Sequence, residues 1–166
     1  MPFRNVNEIG YTPLKEFSLN TPSHEGIIKK ASIGIWTNRD ELRLDIRKWK
    51  DREIGKGISL TEHEVYRLRH FLDHSPWFTP KHSWSELPPQ IALNAEYTVL
   101  DRFVLTSPLL APSNTKEATV GIWPSEGKVR LDIRKRNGED YFKGISLTEP
   151  EVCNLRHFLD KYDFGN

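Results

Sequence analysis

KGISLTE, residues 56–62, is spelled again letter for letter at residues 143–149. The two septets set an offset of 87, and at that offset Ala31–Asp73 lies on Ala118–Asp160 without a gap, identical at 25 of 43 positions. The shared pieces are GIW, RLDIRK, KGISLTE and LRHFLD. With one residue of slippage the match runs upstream, where YTPLKEFSL from Tyr11 meets YTVLDRFVL from Tyr97. Self-similarity at a fixed offset marks a repeated structural unit, here roughly 65 residues long.

The septet is where the periodicity changes. Before it, Leu42, Leu44 and Ile46 alternate with Arg43, Asp45 and Arg47, and Val129, Leu131 and Ile133 alternate with Lys128, Arg130, Asp132 and Arg134. Period two predicts a strand with one buried face. The β-prone run Ile33–Trp36 precedes it, and a shorter strand is expected at Phe17–Leu19 and at Phe103–Leu105. Polar loops, Asp51–Gly55 and Asn137–Asp140, lead into a last strand at Lys56–Leu60 and Lys143–Leu147. Then Thr61-Glu62-His63-Glu64 and Thr148-Glu149-Pro150-Glu151 read as capping boxes. Val65, Leu68, Phe71 and Leu72 follow at helical spacing, as do Val152, Leu155, Phe158 and Leu159. Each copy is therefore expected to be ββββα. The fold class is α+β: two curved antiparallel sheets, each followed by one helix, packed as an intramolecular pseudo-dimer. A unit this short buries little apolar surface alone, which argues for a shared interface.

The chain divides accordingly into an N-terminal extension (1–10), a first repeat (11–73), a connecting strap (74–94), a second repeat (95–160) and a tail (161–166). Prolines 76, 80, 88 and 89 exclude regular structure from most of the strap, while Trp77, Phe78 and Trp84 make it apolar enough to pack across the core. Net charge is +1, so a charged partner has to be met locally. The single cysteine, Cys153, excludes an internal disulfide framework and fits a reducing compartment. No signal-peptide pattern or membrane-length apolar run is present. The expectation is an intracellular protein, cytoplasmic and nucleoid-associated or nuclear.

The wet face of the long strands is cationic. Copy one offers Lys30, Arg43, Arg47, Lys48, Trp49 and Lys56; copy two offers Lys128, Arg130, Arg134, Arg136 and Lys143, with Trp36 and Trp123 nearby. Cations along a sheet with rings among them suit an extended single strand, phosphates pairing with the cations and bases stacking on the rings. Spacing alone leaves a second reading open, in which Arg43-x-Asp45-x-Arg47 is a same-face ion-pair ladder.

These residues resemble a known family. LDIRKW, a loop, KGISL and a capped helix are similar to the single-stranded-DNA-binding domain of the transcriptional coactivator positive cofactor four. Two such units in one chain also resemble the plant Whirly proteins of the same superfamily. The resemblance covers both copies, from about Phe17 and Phe103 to the helix ends. It implies a dimeric ββββα arrangement whose sheets hold two antiparallel DNA segments or a melted duplex. By position it implies contacts from Arg47, Arg134, Lys56, Lys143 and Trp49, and from Lys128, whose copy-one counterpart is Glu41. The family's turn phenylalanine is absent, Asn38 and Ser125 standing there, and Trp36 and Trp123 are candidate substitutes unless alternation buries them. Arg136 stands where copy one has Trp49, so one half is expected to stack bases and the other to grip phosphates. The partner expected is single-stranded DNA, with melted duplex or RNA as variants and a polymerase or recombination protein as a further partner. The process served is transcription regulation or DNA replication, recombination or repair; a protein-interaction module is the competing class.

Catalysis finds little footing. His70 and His74 have helical zinc spacing, but copy two has His157 and Lys161 and no Cys or acidic cluster completes a site. A nuclease needs clustered carboxylates for metal ions, and Asp45 and Asp132 are one acid per copy on a cationic face. No enzyme activity, metal or cofactor is expected, and Cys153 reads as an inert helix residue.

Overall fold

The computed structural model describes residues 3–37, 41–78, 97–106, 115–123, 128–137 and 140–161. The N-terminal extension contains β1 (Arg4–Asn5) and α1 (Val6–Ile9), and copy one contains β2 (Tyr11–Ser18), β3 (Ile27–Trp36), β4 (Leu42–Lys50), β5 (Glu53–Leu60) and α2 (Glu62–His74). A single 3-10 turn, Pro76–Phe78, follows. Copy two contains β6 (Thr98–Val104), β7 (Thr115–Trp123), β8 (Lys128–Asn137), β9 (Asp140–Leu147) and α3 (Glu149–Lys161). The class is α+β. Two antiparallel sheets, ordered β1-β5-β4-β3-β2 and β6-β7-β8-β9, are each followed by a helix.

The strands are longer than their hydrophobic pattern. β2 begins at Tyr11, not Phe17, because ladder pairing with the long β3 carries a stretch that has little alternation of its own. Pro13 fits there because β2 is an edge strand and its register shifts between Pro13 and Lys15. The matching shift in β6 falls between Val99 and Asp101. The loop expected at Asp51–Gly55 is only Asp51-Arg52, a tight turn in which Asp51 takes a φ of 55°. Gly55 lies inside β5.

The septet's glycine has a steric cause. Arg47 pairs with Gly57 and Trp49 with Ile54, so one residue of β4, Lys48, opposes two of β5, Gly55 and Lys56, a β-bulge. Arg134, Arg136, Gly144 and Tyr141 repeat it in copy two. A Cβ on Gly57 would stand 2.2 Å from both Ile46 O and Arg47 Cγ, and one on Gly144 2.2 Å from Ile133 O. Only glycine lets the arginine stem cross the neighbouring strand. The glycine of GIW has a similar role, with the Tyr11 ring over Gly34 and the Tyr97 ring over Gly121.

One apolar core holds both copies. Leu44, Ile46, Ile58, Leu60, Leu68 and Leu72 join Leu131, Ile133, Ile145, Leu147, Leu155 and Leu159 in it, all 4% exposed or less. Trp77 and Phe78 pack against its margin as the strap's composition suggests, while residues 79–94 of that strap lie outside the described residues. Polar links across the copies come in matched pairs. Lys116 Nζ meets Glu64 Oε1 at 2.7 Å and Lys29 Nζ meets Glu151 Oε1 at 3.0 Å. The same lysines donate to Ser59 O (2.7 Å) and Ser146 O (2.8 Å). Arg69 pairs with Asp160 and Arg156 with Asp73. Phe17 stacks near Phe158, and Phe103 near Phe71.

Glu64 and Glu151 are also the capping-box glutamates, accepting from the backbone N–H of Thr61 (2.9 Å) and Thr148 (2.8 Å). Helix start and cross-copy link thus share one buried carboxylate. Burial alone would raise these glutamates. The donors outweigh it, Lys116 chiefly for Glu64 and Thr148 with Lys29 for Glu151, and both sit below the ordinary glutamate value.

Candidate nucleic-acid interface

With both helices in the shared core, the opposite face of each sheet carries the alternate side chains. Register sorts them. In sheet one Ala31, Ile33, Leu44 and Ile46 face the core. Ile28–Trp49, Lys30–Arg47, Ser32–Asp45 and Gly34–Arg43 are cross-strand pairs on the other face, joined by Trp36 and Tyr11. In sheet two that face carries Lys128, Arg130, Asp132, Arg134 and Arg136 along β8, opposite Trp123, Gly121, Thr119, Glu117 and Thr115.

On sheet one much of this face is already occupied. Trp49 is 4% exposed and Arg43 8%, so neither is the outward-facing group expected of it. For Trp49 the cause is the N-terminal extension, which the sequence left without a role. β1 adds to the edge of β5 through Arg4–Ile54 and Asn5–Glu53, and Val6 N–H donates to Arg52 O at 3.2 Å. Val6 and Ile9 then pack, with Ile28 and Trp36, on a small cluster of Tyr11, Trp49 and Ile54. The Trp49 N–H meets no acceptor among the described residues.

Trp36 is half-buried and engaged on both sides. Its N–H donates to Asp45 Oδ2 at 3.0 Å, the Tyr11 ring lies 4.7 Å away, and the Arg47 guanidinium sits 5.3 Å from its centroid. Arg47 Nε donates to Asp45 Oδ1 at 2.7 Å and Arg43 Nε to Glu41 Oε1 at 3.1 Å. Lys30 Nζ lies 5.0 Å from the Trp49 centroid and 3.9 Å from Glu16. Asp45 is raised above the usual carboxylate value because burial exceeds what Arg47 and Trp36 recover, and burial with the charge of Asp45 raises Tyr11 far above an ordinary phenol. This half of the track is largely an ion-pair ladder, the second of the two readings its spacing left open.

Sheet two is built differently. Arg134 Nη2 is 3.3 Å from Asp132 Oδ1 with its side chain 32% exposed, and Lys128 is exposed. Asp132 also accepts from the Tyr97 hydroxyl at 2.8 Å. Glu117, 1% exposed, takes Arg136 Nη1 on Oε2 at 2.9 Å and lies 2.8 Å from Arg102 Nε through Oε1. Arg136 and Arg102 keep 31% and 45% of their side chains exposed. Arg130 is half-buried between Lys128 and Asp132 in the row. The backbones of Trp123 and Lys143 lie in β7 and β9, and their side chains fall outside the described residues. Lys56 is exposed at the β5 bulge, and Lys48, in register with Lys29, emerges on the helix side of the sheet instead of beside Arg47.

Comparing the copies by identity conceals Arg102 and Glu117. Arg102 stands where copy one has Glu16, and Glu117 where it has Lys30. Their signs are exchanged as a pair, while Trp49 becomes Arg136. The legible signal was that compensating reversal.

Among the described residues no group of three or more His, Cys, Asp or Glu could hold a metal ion, and no helix is long and apolar enough to cross a membrane. His70 and His74 stack with centroids 4.1 Å apart, and His74 Nδ1 lies 2.8 Å from His70 O. Cys153 is exposed on α3. No known family model and no curated protein sequence matches the chain.

Proposed function

We propose that the chain binds single-stranded DNA with little regard to sequence, as an intramolecular pseudo-dimer of two ββββα units resembling the positive cofactor four domain. The observation that carries this reading is the β8 row: Lys128, Arg130, Arg134 and Arg136 on one face, turned away from the helices. The matched links Lys116–Glu64 and Lys29–Glu151 support the pseudo-dimer, because a twofold axis converts each contact into its partner. Phosphate pairing tolerates any base, so selectivity is expected to be slight. In this reading the protein is a binding factor for transcription or for DNA replication, recombination or repair, and does no chemistry of its own.

The test is a competition among single-stranded DNA, RNA and duplex at two salt concentrations, read by tryptophan fluorescence with a thymidine oligonucleotide of about twenty bases. Engagement of about four to six phosphates gives a log–log salt slope of roughly −3 to −4. A flat salt response rejects the reading. Preference for RNA reassigns the partner, and silence from all three nucleic acids favours a protein-interaction module.

A further inference from the structure

We infer that Arg102 and Arg136, held together on the buried carboxylate of Glu117, form a phosphate-binding fork, and that this fork makes sheet two the half that grips a polynucleotide backbone. The inference rests on the reading above and adds to it one contact residue, Arg102, and one positioning residue, Glu117.

Three side chains from neighbouring strands converge here. Arg102 comes from β6, Glu117 from β7 and Arg136 from β8. Glu117 Oε2 accepts from Arg136 Nη1 at 2.9 Å, while Oε1, which accepts no hydrogen bond among the described residues, makes an ion pair with Arg102 Nε at 2.8 Å; the carboxylate is itself 1% exposed. One buried anion thus lies between two arginines that keep 45% and 31% of their side chains exposed. A guanidinium presents a rigid planar fork of donors matched to carboxylate or phosphate oxygens. The hydrogen bond to Glu117 holds Arg136, and the ion pair draws Arg102 to the same carboxylate, which reduces the rotamer freedom an arginine otherwise loses on binding.

The equivalent place in copy one argues by contrast. There Glu16, Lys30 and Trp49 stand for Arg102, Glu117 and Arg136, so the net charge is zero and the ring is covered by Val6 and Ile9. The same position of the repeat is closed in one copy and cationic in the other. Two identical grips would leave a bound strand free to lie either way across the molecule; one grip and one closed site do not.

Arg102→Gln is the direct test, since the side chain is nearly half exposed and its loss leaves the core intact. Binding to the thymidine oligonucleotide is expected to weaken roughly tenfold, and the salt slope to become shallower by about 0.7, the share of one phosphate on a single strand. Glu16→Gln, its copy-one counterpart, is expected to change neither. Glu117→Gln, checked for an unchanged fold by circular dichroism, separates positioning from charge. Removal of a negative charge tightens binding if only the field matters, whereas loss of the anchor weakens it. Wild-type affinity and slope in Arg102→Gln, with wild-type binding intact, overturn the fork and leave the broader reading standing; so does tighter binding by Glu117→Gln. If the wild type fails to bind the oligonucleotide at about 50 mM salt, the polynucleotide reading falls. Inorganic phosphate then decides the fork: a shifted Arg102 Nε–H resonance keeps it as a small-anion site, and an unmoved one overturns it.

Discussion

Gly57 and Gly144 sit under the aliphatic stems of Arg47 and Arg134, where a methyl group would meet backbone oxygen at 2.2 Å. Gly57→Ala is therefore expected to destabilise the chain by about 1–3 kcal/mol or more, since neither a ladder carbonyl nor the bulge can retreat cheaply. Gly144→Ala behaves alike. Thermal melting checks both, and a melting point unmoved in either variant removes the packing argument. Trp49→Ala touches fold and function together. At 4% exposure its loss is expected to cost about 3 kcal/mol of stability. A fall in DNA affinity in that variant has meaning only once a denaturation curve shows how much folded protein remains. The sequence displayed this tryptophan at the end of an alternating strand, and alternation correctly put it across the sheet from Leu44 and Ile46. What alternation cannot show is that a distant segment covers that side.

That segment, β1 with α1, is the element the sequence concealed. Four residues of helix and two of strand have no periodicity to read, and their order depends on contacts with Trp49, Ile54 and Tyr11. By contrast α2 and α3 announced themselves twice over, through threonine, glutamate and an apolar spacing copied between repeats. Elements held by so few ladder bonds open more readily than the core. Substituting Val6 and Ile9 together by serine is expected to red-shift tryptophan emission and to raise its quenching by acrylamide. The main thermal transition should fall only a few degrees, because the satellite cluster is separate from the shared core. An unchanged spectrum in the double variant means that the extension does not cover the ring.

At the scale of the whole molecule, the two buried capping glutamates hold the copies together. Lys116→Ala leaves the buried Glu64 carboxylate without its cation, though the Thr61 N–H still donates to it, and is expected to cost about 3–5 kcal/mol. Lys116→Met with Glu64→Gln should recover much of that loss, as removing both charges also removes the desolvation. The acid response follows with a definite sign. Glu64 and Glu151 lie below their unfolded values, so the unfolded chain takes up protons first on acidification. Their contribution is complete above the ordinary glutamate range and disappears as pH falls through the folded values. Denaturant midpoints measured between about pH 6 and pH 3 should decline, and decline less in the Lys116/Glu64 double variant. The repeat itself, the α+β class and the order of strands before each helix were all legible, because apolar spacing and caps are local properties. The cross-copy lysines were not. Lys29 and Lys116 look like any other charged strand residue until the partner helix is placed beside them.

These crossed lysines bear on how the chain is made. When a ribosome has released the first half, Glu64 is present but Lys116 is still 52 residues away. At about 5–20 residues per second that interval lasts roughly 3–10 s, during which the capping carboxylate has no cationic mate and one side of the half-built core is open to water. Such a nascent half invites chaperone capture, and it commits only when the second copy emerges to answer it.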